Sequence, residues 1–262
     1  MENDIAVRVN NVSMTFNLST ERVDNFKEFV IRRLQGKLQY ETFHALNHIS
    51  IEIKKGERVG ILGLNGAGKS TLLKIIAGVM KPTEGTVELD GDLVPLLELG
   101  AGFDKQYTGS ENIYLYGAML GYSKALIDEK YTQIVRFARL KKFMDIPIKN
   151  YSSGMRARLG FAIATIMEPD ILILDEVLAV GDARFRRKCI RKLRKMFDKG
   201  TTVLFVSHSI EQIRKVCNRA ILLENGQIIA DGDTDTVIRV YQKEIDIDED
   251  DNDNDSSQLP IP

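Results

Sequence analysis

What the sequence lacks already narrows its identity. No uncharged apolar run approaches the ~18 residues that a membrane-spanning helix needs. Cysteine is confined to Cys189 and Cys217, far apart and in no metal-ligand spacing. That usage excludes a disulfide scaffold and predicts buried free thiols in a reducing cytosol. The amino terminus, Met1-Glu2-Asn3-Asp4, is polar and acidic, unlike a secretory signal. No internal repeat is visible, which argues against a solenoid. No excess of one charge sign exists over the whole chain, where 36 Lys+Arg meet 37 Asp+Glu.

What is present reads as an ordinary globular protein, with 44% apolar and 28% charged residues. A chain of 262 residues predicts one large domain, or one domain with a subdomain. The near-neutral total conceals an asymmetry. Eight of the 37 acids follow Lys243, with no base among them. Residues 1–243 therefore carry 36 bases against the remaining 29 acids, a net of +7. The acidic stretch is too poor in apolar residues to offset its ordering entropy, so residues 246–262 are expected to form a disordered tail. Asp246, Asp248 and Asp250 mimic the start of a calcium loop. Asp251 stands where that loop needs glycine, and Ser257 where it needs glutamate.

Strands are predicted at Ile5–Val9 with Val12, Ile49–Ile53, Arg58–Leu62, Thr86–Leu89, Ile171–Leu174 and Thr202–Val206. Helices are predicted at Leu72–Ala77, Phe185–Phe197 and Ile210–Val216, and a hairpin at Asn225-Gly226. Residues from about Gly109 to Met167 are mostly helical in pattern, broken at Gly121 and Pro147. Alternating strands and helices point to an α/β fold with a mainly parallel sheet. Residues 20–40 interrupt the plan. Val23, Phe26, Val30, Leu34 and Leu38 recur at three- and four-residue steps, as on one face of a slightly basic amphipathic helix. Such a helix either packs on its own domain or meets a membrane surface or partner subunit.

Two segments carry chemistry. Gly63-Leu64-Asn65-Gly66-Ala67-Gly68-Lys69-Ser70-Thr71 fits G-x-x-x-x-G-K-[ST] between a strand and a helix. Its glycines let backbone N–H groups converge on phosphate oxygens at a helix start. Lys69 reaches the β- and γ-phosphates of ATP, and the Ser70 hydroxyl is placed to ligate Mg²⁺. The second segment is Ile171-Leu-Ile-Leu-Asp175-Glu176, which ends a buried strand in two carboxylates. Asp175 is expected in the Mg²⁺ shell and Glu176 as the general base on water.

Tyr151-Ser152-Ser153-Gly154-Met155-Arg-Ala-Arg158 precedes that strand, and with it the chain resembles the nucleotide-binding subunits of ATP-binding cassette transporters. The family usually carries Leu-Ser-Gly-Gly-Gln at this place. Here Ser153 replaces the first Gly and Met155 the Gln, while Ser152 and Gly154 are kept. The resemblance implies a P-loop ATPase core, an antiparallel β subdomain, a helical signature subdomain at about 106–168, and a nucleotide-binding domain over 1–245 with an amphipathic helical insertion at 17–42. It implies a head-to-tail dimer in which Ser152, Ser153 and Gly154 of one copy meet the ATP of the other. Asp182 in Ala179-Val180-Gly181-Asp182 matches the aspartate of the loop after the base, and His208 matches the switch histidine. Phe16 occupies the usual place of the aromatic stacking on adenine, with Phe43 and Tyr40 as competitors. Where the family usually has a metal-contacting glutamine, the text is Leu96-Leu97-Glu98-Leu99-Gly100; Glu98 or a neighbour is the nearest match.

Leu-Glu-Leu-Gly-Ala-Gly-Phe at 97–103, Thr108-Gly-Ser-Glu111-Asn112-Ile and Asp-Glu-Val-Leu-Ala-Val-Gly-Asp at 175–182 are similar to polysaccharide exporters. These move teichoic acid or O-antigen across the bacterial inner membrane. The resemblance implies two copies of an integral membrane subunit as partners, a lipid-linked polysaccharide as cargo and a peripheral place on the cytoplasmic face. Soluble cassette ATPases of ribosomes or DNA repair usually hold two cassettes or a long coiled coil, and neither is present here. A kinase or GTPase lacks the signature segment, and no Asn-Lys-x-Asp guanine reader occurs. The +7 body forms no basic run interleaved with aromatics, so nucleic acid is not an expected partner.

Overall fold

The structure, a computed structural model, describes residues 4–19, 40–96, 100, 102–175, 182–207 and 209–255. A six-stranded sheet runs in the order β5-β6-β7-β3-β8-β9. Its members are β3 (Arg58–Leu62), β5 (Leu93–Leu96), β6 (Ile171–Asp175), β7 (Thr202–Val206), β8 (Arg219–Glu224) and β9 (Gln227–Asp233). All neighbours pair parallel except β8 and β9, the hairpin predicted at Asn225-Gly226. A second, antiparallel sheet runs β2-β1-β4, from β1 (Ile5–Ser19), β2 (Tyr40–Lys54) and β4 (Glu84–Leu89).

The continuous apolar runs of the central strands follow from burial on both faces. Successive side chains point to opposite sides, so Leu172, Leu174, Val203, Phe205 and Leu222 join one core. Their neighbours Ile171, Ile173, Leu204, Val206 and Ile221 join the other. The second core lies between the sheets and takes in Val7, Val9, Ile51 and Ile53 together with Leu72 and Leu73 of α1 (Lys69–Ile76). The first packs the helical region onto the sheet. That region holds α2 (Gly109–Met119), α3 (Lys124–Ala138) and α4 (Ser153–Ile166), followed in the chain by α5 (Ala183–Asp198) and α6 (Ile210–Val216). Breaks fall at Gly121, which has φ +86°, and around Pro147, where only single 3-10 turns form.

Three expectations are corrected. First, β1 and β2 are each fifteen residues long and stay paired from Ile5↔Lys54 to Ser19↔Tyr40. Residues 17–19 and 40–42 are therefore strand, not the ends of a helical insertion. Bulges near Val9–Val12 and Met14–Thr15 break the two-residue alternation, which hides the outer half of the ribbon from a pattern reading. The helix expected further in, with Val23, Phe26, Val30, Leu34 and Leu38, lies outside the described residues. Second, β5 is not among the strands read from the apolar pattern, and only the family resemblance implies a strand near residue 97; Pro95 sits within it, tolerated because β5 is the edge of the sheet. Third, the last helix, α7 (Thr234–Asp255), runs well past residue 245, where the folded domain was expected to end. Its Val237 and Ile238 are buried, so packing starts a helix that the acidic sequence then inherits.

Candidate functional site

The glycine-rich loop links the end of β3 to the start of α1 and is wedged between the two sheets. Gly68, the N-cap of α1, has φ +100°, and a Cβ there would stand 2.5 Å from the carbonyl oxygen of Ala45 in β2. Gly63 has φ +145°, and its Cβ would meet the Leu223 carbonyl of β8 at 2.2 Å. Any side chain at either place would push the loop off its supports. The loop is also tied by Gly226 N–H to Ala67 O at 3.2 Å, while Leu72 N–H returns to Gly68 O at 2.9 Å. Its outer backbone is thereby left facing a cleft. Lys69 Nζ folds over the loop and donates to Gly63 O at 2.6 Å and Leu64 O at 2.7 Å. The cation thus stands at the centre of the cradle.

That cleft, of about 370 Å³, is bordered by Asn65, Gly66, Lys69, Ser70 and Thr71 on one side and by Phe16 and Phe43 on the other. Phe16 and Phe43 are direct cross-strand partners on β1 and β2, so their rings share one face of the ribbon. Phe43 is 47% exposed and Phe16 half-buried. An exposed aromatic pair beside an anion cradle is what a purine nucleotide needs: rings for the base and N–H groups for the phosphates. Thr15 Oγ1 and His44 Nδ1, 3.3 Å apart, brace the ribbon next to the rings.

The sheet order brings the other expected positions to the same edge. Asp175 ends β6 and pairs with Val206 of β7, and Ile61 of β3 pairs with Val206 from the other side. With strands about 4.8 Å apart, the base of the loop and the backbone of Asp175 flank the end of β7. Beyond the end of β7, Ser207 Oγ accepts from Ser209 N–H at 3.1 Å and Ser209 caps α6. The side chain of Asp175 and the residues Glu176, His208 and Glu98 lie outside the described residues. The exposed Ser70 hydroxyl borders the phosphate cradle, and by residue type the expected pair Ser70 and Asp175 is an oxygen-only donor set. Such a set fits Mg²⁺ shared with phosphate oxygens.

Ser152, Ser153, Gly154 and Asp182 do not border this cleft. Ser152 caps α4, its Oγ accepting from Met155 N–H at 3.2 Å, and stays exposed. A Cβ on Gly154 would find only Ser152 Oγ, at 4.0 Å. Asp182 caps α5 through Phe185 N–H at 2.7 Å, and that backbone donor holds its carboxyl below the usual range. Tyr40 pairs with Ser19 at the far end of the ribbon, three positions beyond the Phe16–Phe43 pair. From sequence alone Phe43 is only a competitor of Phe16. The missing signal is that the two are directly paired, which requires the ribbon register.

The family model described as ABC transporter matches residues 46–179. The O-antigen export system ATP-binding protein RfbB of Klebsiella pneumoniae is 41% identical over 90% of this chain and 97% of its own length. The teichoic acids export ATP-binding protein TagH of Bacillus anthracis is 42% identical over 90% of this chain, which spans only 42% of that protein. Among solved structures, a dimeric ATP-binding cassette in a post-hydrolysis state with ADP and phosphate superposes with a TM-score of 0.66. It is 24% identical and covers 87% of this chain and 98% of its own, a likeness of fold.

Proposed function

This chain belongs to the ABC transporter family, and we propose that it is the ATP-hydrolysing subunit of an exporter of a lipid-linked cell-surface polysaccharide, of teichoic acid or O-antigen type, across the bacterial inner membrane. The observation that carries the ATPase reading is the single sheet edge where the glycine loop and the ends of β6 and β7 converge beside two aromatic rings. The polysaccharide reading draws support from relatives named as O-antigen and teichoic acid export ATP-binding proteins.

In this reading the loop N–H groups and Lys69 hold the triphosphate of ATP and neutralise charge as it develops on the transferred phosphoryl group. Phe16 and Phe43 hold the adenine. Mg²⁺, when bound by Ser70, Asp175 and the phosphates, withdraws charge from the phosphoryl oxygens. Glu176 accepts the proton of the attacking water and His208 orients that water against the γ-phosphate. Glu98 or a neighbour supplies the remaining polar contact. Ser152, Ser153 and Gly154 serve a second copy: a Cβ on Gly154 would meet nothing of its own molecule nearer than Ser152 Oγ at 4.0 Å, and that open space supports an outside partner there. The active form is then a head-to-tail dimer attached to two copies of an integral membrane subunit, and Asp182, in the loop after the base, belongs to its nucleotide site. No described helix is long and apolar enough to cross a membrane, in keeping with a peripheral position on the cytoplasmic face.

The test is depletion of the protein in cells, followed by mass spectrometry of membrane extracts. Accumulation of a lipid-linked polyol-phosphate polymer identifies a teichoic acid exporter, and a phosphate-free sugar polymer an O-antigen type. Confirmed depletion without any accumulating glycan refutes polysaccharide export.

A further inference from the structure

Helix α5 carries eight basic residues and one acid, Asp198, in sixteen positions. Lys192 pairs with Glu168, and Lys188 lies over the Phe137 ring at 4.1 Å. Arg184, Arg186, Arg187, Arg191, Arg194 and Lys195 form no salt bridge with any described residue. Several of them repeat four apart, as in Arg187–Arg191–Lys195, where like charges repel along a helix. This row does not overlie featureless surface. Between α5 and α6 lies a groove of about 410 Å³ whose apolar lining includes Ile190, Leu193 and Phe197 and whose rim carries Arg186, Arg194 and Lys215.

We propose that the acidic C-terminal segment of this same chain docks into the α5–α6 groove. Charge complementarity selects this occupant. From Asp246 to Asp255 seven of ten residues are acidic, and Ile247, Leu259 and Ile261 supply apolar groups for the floor. The tether is short. The helix α7 that carries the segment is joined to α6 by the Arg214–Asp235 pair at 2.7 Å, and its Val237 and Ile238 share the core of Leu193 and Ile213. Ten extended residues span about 33 Å, enough to cross α6. In the helix Asp246 and Asp250, Glu249 and Asp253, and Asp251 and Asp255 fall four positions apart, a spacing at which like charges are unfavourable, and all lie at a C-terminal end whose dipole disfavours negative charge. Unwinding this end into the groove relieves both repulsions at once, its own and that of α5. The docked segment covers the basic face against other polyanions.

Zero-length carbodiimide coupling of the full-length chain tests this, because it joins lysine amines only to carboxylates they touch. Lys192–Glu168 and Lys199–Glu168, at 2.8 and 2.9 Å, are internal controls. The expected result is coupling of Lys195 or Lys215 to carboxylates of residues 246–255 at monomer mass. It should fall at least about fivefold in 0.5 M salt, where screening cuts in within a few ångströms, and in Arg186→Glu/Arg194→Glu. A full-length variant with the seven acids changed to amides avoids altering the core. In it, acetylation of Lys195 and Lys215 should rise at least twofold over the parent. Tail carboxylates that couple to neither Lys215 of the groove nor Lys195 of α5 overturn the proposal, as does unchanged acetylation. Links found only at dimer mass also overturn it, since they place the segment on a second copy.

Discussion

Replacing Gly154 by alanine separates what this chain needs to fold from what it needs to work. Gly154 is the second residue of α4, and an added Cβ would meet nothing nearer than Ser152 Oγ at 4.0 Å. Alanine is favoured over glycine in a helix by up to about 1 kcal/mol. This close to the N-terminus about half of that is expected. The isolated chain should therefore gain about 0.5 kcal/mol, raising Tm by about 1–2 °C for a domain of this size. Function should move the other way. If this face receives the phosphate bound by a second copy, the methyl group displaces it, and a loss of about 1.4 kcal/mol or more in the transition state lowers turnover at least tenfold. Gly68→Ala is the counter-case. Its φ of +100° and the Ala45 carbonyl at 2.5 Å imply about 1–3 kcal/mol of backbone strain alone, so Tm and activity should fall together. Melting curves and steady-state phosphate release on the purified variants measure both quantities. Full ATPase activity in Gly154→Ala, or a Tm loss comparable to that of Gly68→Ala, refutes the reasoning.

Glu176→Gln should keep ATP binding, abolish turnover and accumulate dimer in ATP during size-exclusion chromatography; appreciable hydrolysis removes Glu176 from the role of base. Phe16→Ala and Phe43→Ala should each weaken ATP binding by an amount within the ~1–3 kcal/mol typical of base stacking, read by titration with a fluorescent ATP analogue. A silent Phe43→Ala leaves Phe16 as the sole platform. Lys192 and Lys199 hydrogen-bond Glu168 and hold its carboxyl at about 2. A lowered folded pKa stabilises above the ordinary carboxylate pKa and loses that effect as protonation proceeds. Glu168→Gln should then melt below the parent at pH 7, with the gap closing as pH falls from about 4.5 towards about 2. The side chain is nearly half exposed, so the gap should also shrink in salt. A gap independent of pH refutes the ion-pair account.

The parts of this molecule that were legible in the sequence are those where one local rule acts alone. The buried strands Arg58–Leu62 and Thr202–Val206 stand as predicted because burial on both faces leaves a bare apolar run. The loop from Gly63 to Lys69 was legible because backbone sterics admit few other residues there. The β1–β2 ribbon was half hidden because its register shifts sum two alternations of opposite phase, and no single-period pattern survives such a sum. The proposed nucleotide site inherits that blindness. Phe16 and Phe43 lie 27 positions apart, and only the bulged register makes them one aromatic surface. Ser152 shows the opposite limit. Its capping bond to Met155 N–H is a complete local explanation of the residue, so neither the serine nor its fold can by itself disclose a phosphate contact. Gly154 differs, because the chain gives it neither a clash to avoid nor a turn to make. A helical glycine that lowers stability without an internal reason points to a requirement outside its own molecule.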